Sequence, residues 1–180
     1  NEEGLGIAGL NFDGPCHYFP EVSGKNNVTP FELIPYLLSQ YTTVAEVKEA
    51  LKSVNLVKIN FSEKLQLSPL HWLMADKTGE SIVVESTLSG LHVYDNPVHV
   101  LTNNPEFPGQ LSNLANYSNI APSQPKNTLV PGVDLNLYSR GLGTHFLPGG
   151  MDSASRFVKV AFVRAHSPQG NNELSSVTNY

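Results

Sequence analysis

Residues Leu70–Thr102, LHWLMADKTGESIVVESTLSGLHVYDNPVHVLT, decide how this chain is read. Four short runs stand out: Leu70–Asp76, Ser81–Ser86, Gly90–Tyr94 and Val98–Thr102, with Lys77-Thr78-Gly79 and Ser89-Gly90 as turn-type separators. Runs rich in β-branched and aromatic residues, joined by short Gly-containing turns, are the signature of hairpins. The block therefore predicts an antiparallel meander about four strands long. His71, Glu85, His92 and His99 are dispersed along it. They read as cross-strand or edge residues rather than as ligands, because the six histidines show no HxH or HxxxH spacing that would supply two metal ligands together.

On the N-terminal side, Val44, Val47, Ala50, Leu51 and Val54 form an apolar stripe opposite Glu46, Lys48, Glu49 and Lys52. That pattern predicts a packing helix over Val44–Val54, capped by Thr42 or Thr43. A strand is expected over Leu56–Phe61. Thr29-Pro30 opens a second predicted helix, Phe31–Gln40, which Pro35 is expected to kink or split. Asp13–Val28, with Gly14, Pro15, Pro20 and Gly24, reads as loop. Cys16 and His17 lie in it. Adjacent residues on an extended loop point to opposite sides and nothing nearby lowers the thiol pKa, so Cys16 reads as a partly buried loop thiol rather than a nucleophile. Leu5–Phe12, LGIAGLNF, reads as a buried strand whose Gly6 and Gly9 admit another backbone close by. Asn11, near its end, is either satisfied in a turn or offers an amide N–H to a ligand.

On the C-terminal side, Asn103 is a polar amide at a strand end, followed by Asn104-Pro105. It belongs either to an Asx-type turn or to a site. A helix is predicted over Glu106–Tyr117, with Leu111 and Leu114 inward. The Pro- and Asn-rich stretch Asn119–Asn136 is long for a plain connection, which favours a lid or interface segment. A glycine-rich loop follows over Ser139–Gly150. The next helix has Phe157, Val158, Ala161, Phe162 and Ala165 on one face, and Asp152 or Ser153 as its cap. Arg156 falls in its first turn, where a cation opposes the helix dipole. It is either a solvated side chain or part of a site for an anionic or oxygen-rich ligand. Leu174–Tyr180 reads as the start of another helix.

The chain has 180 residues, 40% hydrophobic and 15% charged, with a net charge of −5. That suffices for one domain with a sizeable core. The negative balance and the lack of any Lys/Arg run argue against nucleic acid and anionic membranes as partners. No apolar stretch approaches the ~20 residues that cross a bilayer. A single cysteine, Cys16, rules out an internal disulfide and fits a reducing, cytoplasmic setting. No G-x-S-x-G elbow occurs, which weighs against a serine hydrolase. Both ends look cut from a longer polypeptide, so residues 1–180 are expected to be one domain incomplete at both ends.

Three separated segments share a resemblance: LGIAGLNF at Leu5–Phe12, VLTNNPEF at Val100–Phe107, and YSRGLGTHFLPGGMDSASRFVKVAFVR at Tyr138–Arg164. Together, with LHWLMAD and SIVVES between them, they resemble the choloylglycine hydrolases, the bile salt hydrolases and penicillin V acylases of the N-terminal-nucleophile hydrolase superfamily. The resemblance spans essentially the whole chain. It implies an α+β fold with four αββα layers, of which this chain would hold part, and hydrolysis of a linear amide without a cofactor or metal. It implies a nucleophilic N-terminal cysteine whose own α-amine is the base, assisted by an Arg and an Asp shortly after it. None of these is in this chain, so the chain by itself is expected to lack amidase activity.

The resemblance carries over residue by residue. Asn11 of GLNF matches an oxyanion-hole amide, Asn103 of LTNN the second polar residue near the nucleophile, and Arg156 of SASRF the Arg beside the cysteine. Penicillin acylases of the family often carry Tyr at the position of Asn11, so Asn11 favours a conjugated bile salt such as glycocholate or taurocholate. Phe19 and the loop residues Ser139, Arg140, Gly141 and Leu142 are candidates for the rim of a steroid cleft. Arg140 could meet the terminal carboxylate or sulfonate, with a preference for taurine, or else form a subunit contact in a homotetramer. The alternatives are a penicillin V acylase, and a non-catalytic module of the same fold.

Overall fold

The computed structural model describes residues 1–168 and 170–178. The chain separates into two compact units, Asn1–Phe107 and Pro108–Tyr180.

The first unit is built on a four-stranded antiparallel sheet in the order β1-β4-β5-β6: β1 Gly6–Asn11, β4 Leu70–Ala75, β5 Ser81–Thr87 and β6 Gly90–Asp95. β4, β5 and β6 are the expected meander. Its fourth member is β1, paired along β4 from Gly6↔Ala75 to Asn11↔Leu70, and not the expected strand Val98–Thr102. That stretch alternates like a strand, but Asn96 and Pro97 turn the chain before it. The His99 N–H closes back on the Asn96 carbonyl at 3.2 Å, and His99 itself sits at φ 54°. A left-handed residue in mid-run breaks a ladder.

One face of the sheet carries Trp72, Met74, Ile82 and Val84, all fully buried against Leu33, Leu37, Val44, Val47 and Leu51. Burying each such side chain is worth about 1.5–3 kcal/mol, so this face holds the unit together. β5 lies between two partners and all seven of its residues are buried, including Glu85 and Ser86. A central strand covered on both faces has no solvent side to supply the usual polar alternation.

The covering elements are α1, Leu33–Leu38, and α2, Val44–Leu51. α2 begins in a complete capping box: the Glu46 N–H donates to Thr43 Oγ1 at 3.2 Å, and the Thr43 N–H to the Glu46 carboxylate at 3.0 Å. It stops three residues short of the expected Val54, which instead opens a strand. α1 is shorter than predicted and runs through Pro35 without a split. Pro35 is the third helical residue, within the first turn, where its missing N–H has no intrahelical acceptor to lose. β2, Asn26–Val28, pairs in parallel with β3, Val54–Leu56. The expected strand Leu56–Phe61 is thus displaced towards the N-terminus, and part of the expected loop Asp13–Val28 is strand.

α3, Phe107–Leu114, starts at the last residue of the first unit and runs into the second, which continues with a 3-10 turn over Ala115–Tyr117, then α4, Ser153–His166, and α5, Glu173–Thr178. Between α3 and α4 the chain is irregular but tied. Asn127 Nδ2 donates to the Val130 and Val133 carbonyls at 2.9 and 2.7 Å, and Gln124 Nε2 to the Ser139 carbonyl at 2.7 Å. α4 starts where expected: Asp152 accepts from the Ser155 N–H at 3.0 Å, and Phe157 and Val158 are buried. The helix expected from Leu174 is α5. The last two residues of that stretch lie outside those described.

Candidate active site

Asn11 is the last residue of β1, opposite Leu70, where the strand leaves the sheet. The next residue, Phe12, donates its N–H to the Pro69 carbonyl at 2.9 Å and is fully buried. Asn103 comes from the segment between β6 and α3. Its side-chain amide donates to the Asn11 carbonyl at 2.8 Å, and the amide of Asn104 donates to the Asp13 carbonyl. Two asparagines 92 positions apart in sequence thus meet at one exit of the sheet, Asn11 exposed and Asn103 half-buried. The peptide after Asn104 is cis. Asn103 is therefore not confined to a local Asx turn: its amide bridges to another strand.

Directly beneath is a buried polar cluster. His71 and Glu85 face each other across β4 and β5, both with wholly inaccessible side chains, Nδ1 lying 3.0 Å from Glu85 Oε1. The other ring nitrogen, Nε2, meets the Thr102 carbonyl at 2.7 Å. Glu85 also accepts the Phe107 N–H with both oxygens, at 3.0 and 3.2 Å. Phe12 stacks on the His71 ring at 4.4 Å and 7°. The sequence places both as cross-strand residues, and they are that. What it did not reveal is their grip on the Asn103 segment, which depends on contacts 22 and 31 positions distant.

Beside Asn11 the loop Asp13–Tyr18 and the segment from Lys58 to Pro69 line a cavity of about 490 Å³. Cys16 opens onto it, half-buried, its thiol donating weakly to the Leu70 carbonyl at 3.8 Å. Burial pushes the thiol pKa up and the nearby Asp13 adds to this; hydrogen bonding from Tyr18 and Leu70 only partly opposes them. That is the opposite of what a nucleophile needs. Tyr18 is locked, donating to the Ser68 carbonyl and accepting the Leu70 N–H, both at 2.9 Å, and burial drives its pKa upward. Phe19 does not line this cavity. It bridges to Val57, stacks edge-on with His17 at 4.9 Å, and lines a separate cavity of about 350 Å³ with Leu51, Leu56 and Leu91.

In the second unit, Arg156 sits in the first turn of α4 and donates Nε–H to the Met151 carbonyl at 2.9 Å. Lys159 reaches the Gly150 carbonyl at 2.7 Å. These carbonyls, just ahead of the helix, offset the unfavourable position of the Arg156 cation. A Cβ on Gly150 would lie 2.6 Å from Asp152 Oδ2 and 2.7 Å from Ser155 Oγ, so a larger residue there would push the capping side chains aside. Ser139, Arg140 and Gly141 are exposed, and Leu142, half-buried, opens a 3-10 turn over Leu142–Thr144. Gly141 is at φ 79°, and the Leu142 N–H donates to Gln124 Oε1 at 3.0 Å. No helix among the described residues is long and apolar enough to cross a membrane.

Residues 1–180 match the linear amide C–N hydrolases of the choloylglycine hydrolase type. The bile salt hydrolase/transferase of Lactiplantibacillus plantarum is 54% identical over 180 residues, covering 100% of this chain and 55% of that protein. The protein of the same name from Clostridium perfringens is 42% identical over 165 residues, covering 91% of this chain and 50% of its own length. Among solved structures, a variant of the conjugated bile acid hydrolase from Clostridium perfringens superposes with a TM-score of 0.84 at 42% identity, covering 92% of this chain and 51% of that one. Penicillin V acylase from Agrobacterium tumefaciens gives 0.74 at 23% identity, covering 99% and 48%, a likeness of fold. The α+β fold is that of the N-terminal-nucleophile hydrolases. The chain spans about half the length of the curated relatives it matches.

Proposed function

This chain belongs to the choloylglycine hydrolase family of linear amide C–N hydrolases, and from that premise we propose that it serves a conjugated bile salt hydrolase, a bacterial and cytoplasmic enzyme. The observation that carries the reading is identity to bile salt hydrolases along the whole chain. The local geometry supports it, since it brings Asn11 and Asn103 together at one sheet exit.

In the proposed chemistry a cysteine thiolate outside this chain attacks the amide carbonyl carbon, and the C–N bond breaks. The glycine or taurine amine leaves with a proton, and water then releases the bile acid from the thioester. Asn11 and Asn103 would place neutral donors on the developing oxyanion, the most effective single use of an amide in such a site. Arg156 would favour the thiolate; that role rests on the resemblance of its SASRF context. Ser139, Arg140, Gly141 and Leu142 are proposed for the rim that meets the substrate, and Phe19 for an apolar contact. The assembly proposed is a homotetramer.

The test is a rate comparison on the full-length polypeptide with glycocholate, taurocholate and penicillin V. Hydrolysis of either bile salt at least about tenfold faster than penicillin V is expected. The reverse order would assign the protein to penicillin acylation, and no hydrolysis of any of the three would leave a binding module.

A further inference from the structure

Three features outside the proposed chemistry are available to it: the Ser81–His99 contact at 2.8 Å, the groove beside α1, and the buried His71–Glu85 pair. Ser81 donates to the Asn96 carbonyl at 3.0 Å, which fixes the hydroxyl as structural. The groove lined by Asn26, Tyr36 and Pro35 has nothing to identify an occupant. The pair is different, because of what it holds.

We infer that His71 and Glu85 are a positioning pair, holding the segments that carry Asn11 and Asn103 at their working separation; the role rests on the site reading above. Two contacts of the pair land next to a site residue, and a third closes the loop that follows Asn103. The ring face stacks on Phe12, the neighbour of Asn11. Nε2 holds the carbonyl of Thr102, the neighbour of Asn103. Glu85 holds the N–H of Phe107, where the chain re-enters helix after Asn103. The polar loop 103–106 is thus tied at both ends to one imidazole–carboxylate unit, and that unit is fixed by two sheet strands.

The hydrogen-bond inventory makes the arrangement specific. A carbonyl only accepts, so Nε2 carries a hydrogen. Nδ1 then lies 3.0 Å from a carboxyl oxygen, and one proton must lie between them, since two facing acceptors without one would repel in a buried site. A glutamine can keep most of this: its amide nitrogen, at the place of Oε1, donates to Nδ1, and its oxygen, at the place of Oε2, keeps the 3.2 Å bond from the Phe107 N–H while the 3.0 Å one is lost. A leucine cannot.

The experiment uses the full-length protein, after wild-type hydrolysis of glycocholate has been established independently. E85L is expected to lower kcat at least about tenfold with KM within about threefold, and E85Q to restore most of that loss. Amide-proton NMR gives a readout that does not depend on activity: in E85L the Asn103 side-chain NH₂ and Phe107 N–H signals shift and exchange faster, while those of Met74 and Ile82 do not. Should E85L fail to fold, F12L carries the test, with kcat lowered at least about threefold and the same Asn103 signals displaced. Unchanged kcat and unchanged Asn103 signals in a folded E85L or F12L, or an E85Q as impaired as E85L, would overturn the inference. If the wild type does not cleave bile salts the functional reading fails, and the NMR comparison still decides whether the pair positions Asn103.

Discussion

Asn103→Asp keeps the size of the side chain but removes both amide hydrogens, one of which the Asn11 carbonyl receives. It also sets a carboxylate against a carbonyl oxygen. Loss of one oxyanion donor typically costs about 10²–10³ in kcat, so Asn103→Asp and Asn11→Ala in the full-length enzyme should each fall in that range, read as kcat on glycocholate. Met74→Ala tests a different matter. Met74 is fully buried in the apolar face of the sheet, and its truncation should cost about 2–5 kcal/mol in a urea titration. The site residues themselves were only half legible. The polar character of Asn11 and Asn103 at strand ends was visible along the chain. Their meeting was not, because it depends on β1 leaving its place in sequence to pair with β4. Arg156 was visible as a misplaced cation, but the Met151 carbonyl that receives it lies five residues back, outside the helix pattern.

At the scale of elements, α2 and the β4–β5 hairpin were readable because their signals are local: a stripe, a cap, a Gly turn. Val98–Thr102 was misread because alternation records only which side chains face which way, and says nothing of a turn at Asn96–Pro97. The parallel β2–β3 pair is non-local and left no pattern at all. α2 is joined to the hairpin by Asp76, which accepts the Val44 N–H at 2.6 Å. Burial pushes the Asp76 carboxyl up, but hydrogen bonds from the Thr78 hydroxyl and from backbone N–H groups at Val44 and Thr78 outweigh it and hold it below the usual carboxylate range. A depressed folded value means stabilisation that is present above the unfolded pKa and is lost as pH falls through the folded one. Asp76→Asn should therefore lower the urea midpoint at neutral pH, with the gap to wild type closing as pH falls through the acid range. Thr43→Ala removes half of the capping box and should cost about 1 kcal/mol in the same titration at neutral pH.

For the molecule as a whole, composition and charge gave the class and the resemblance gave the fold, but the nucleophile on which catalysis is proposed to depend lies in neither unit. This 180-residue chain, expressed alone, is expected to release no taurine or glycine from conjugated bile salts in an amine-release assay; measurable release would overturn the proposed mechanism. The lone thiol offers another use. Cys16 bridges to Thr87, and its neighbour His17 donates to the Ser86 carbonyl at 2.8 Å, so the segment around it is fastened to the far end of β5. Half-buried, with burial raising its thiol pKa, the sulfur is expected to alkylate more slowly while the segment is seated than when it lifts. One cysteine in these 180 residues thus makes the chain, expressed alone, its own stopwatch: the speed of its alkylation counts how often the cavity wall beside Asn11 breathes.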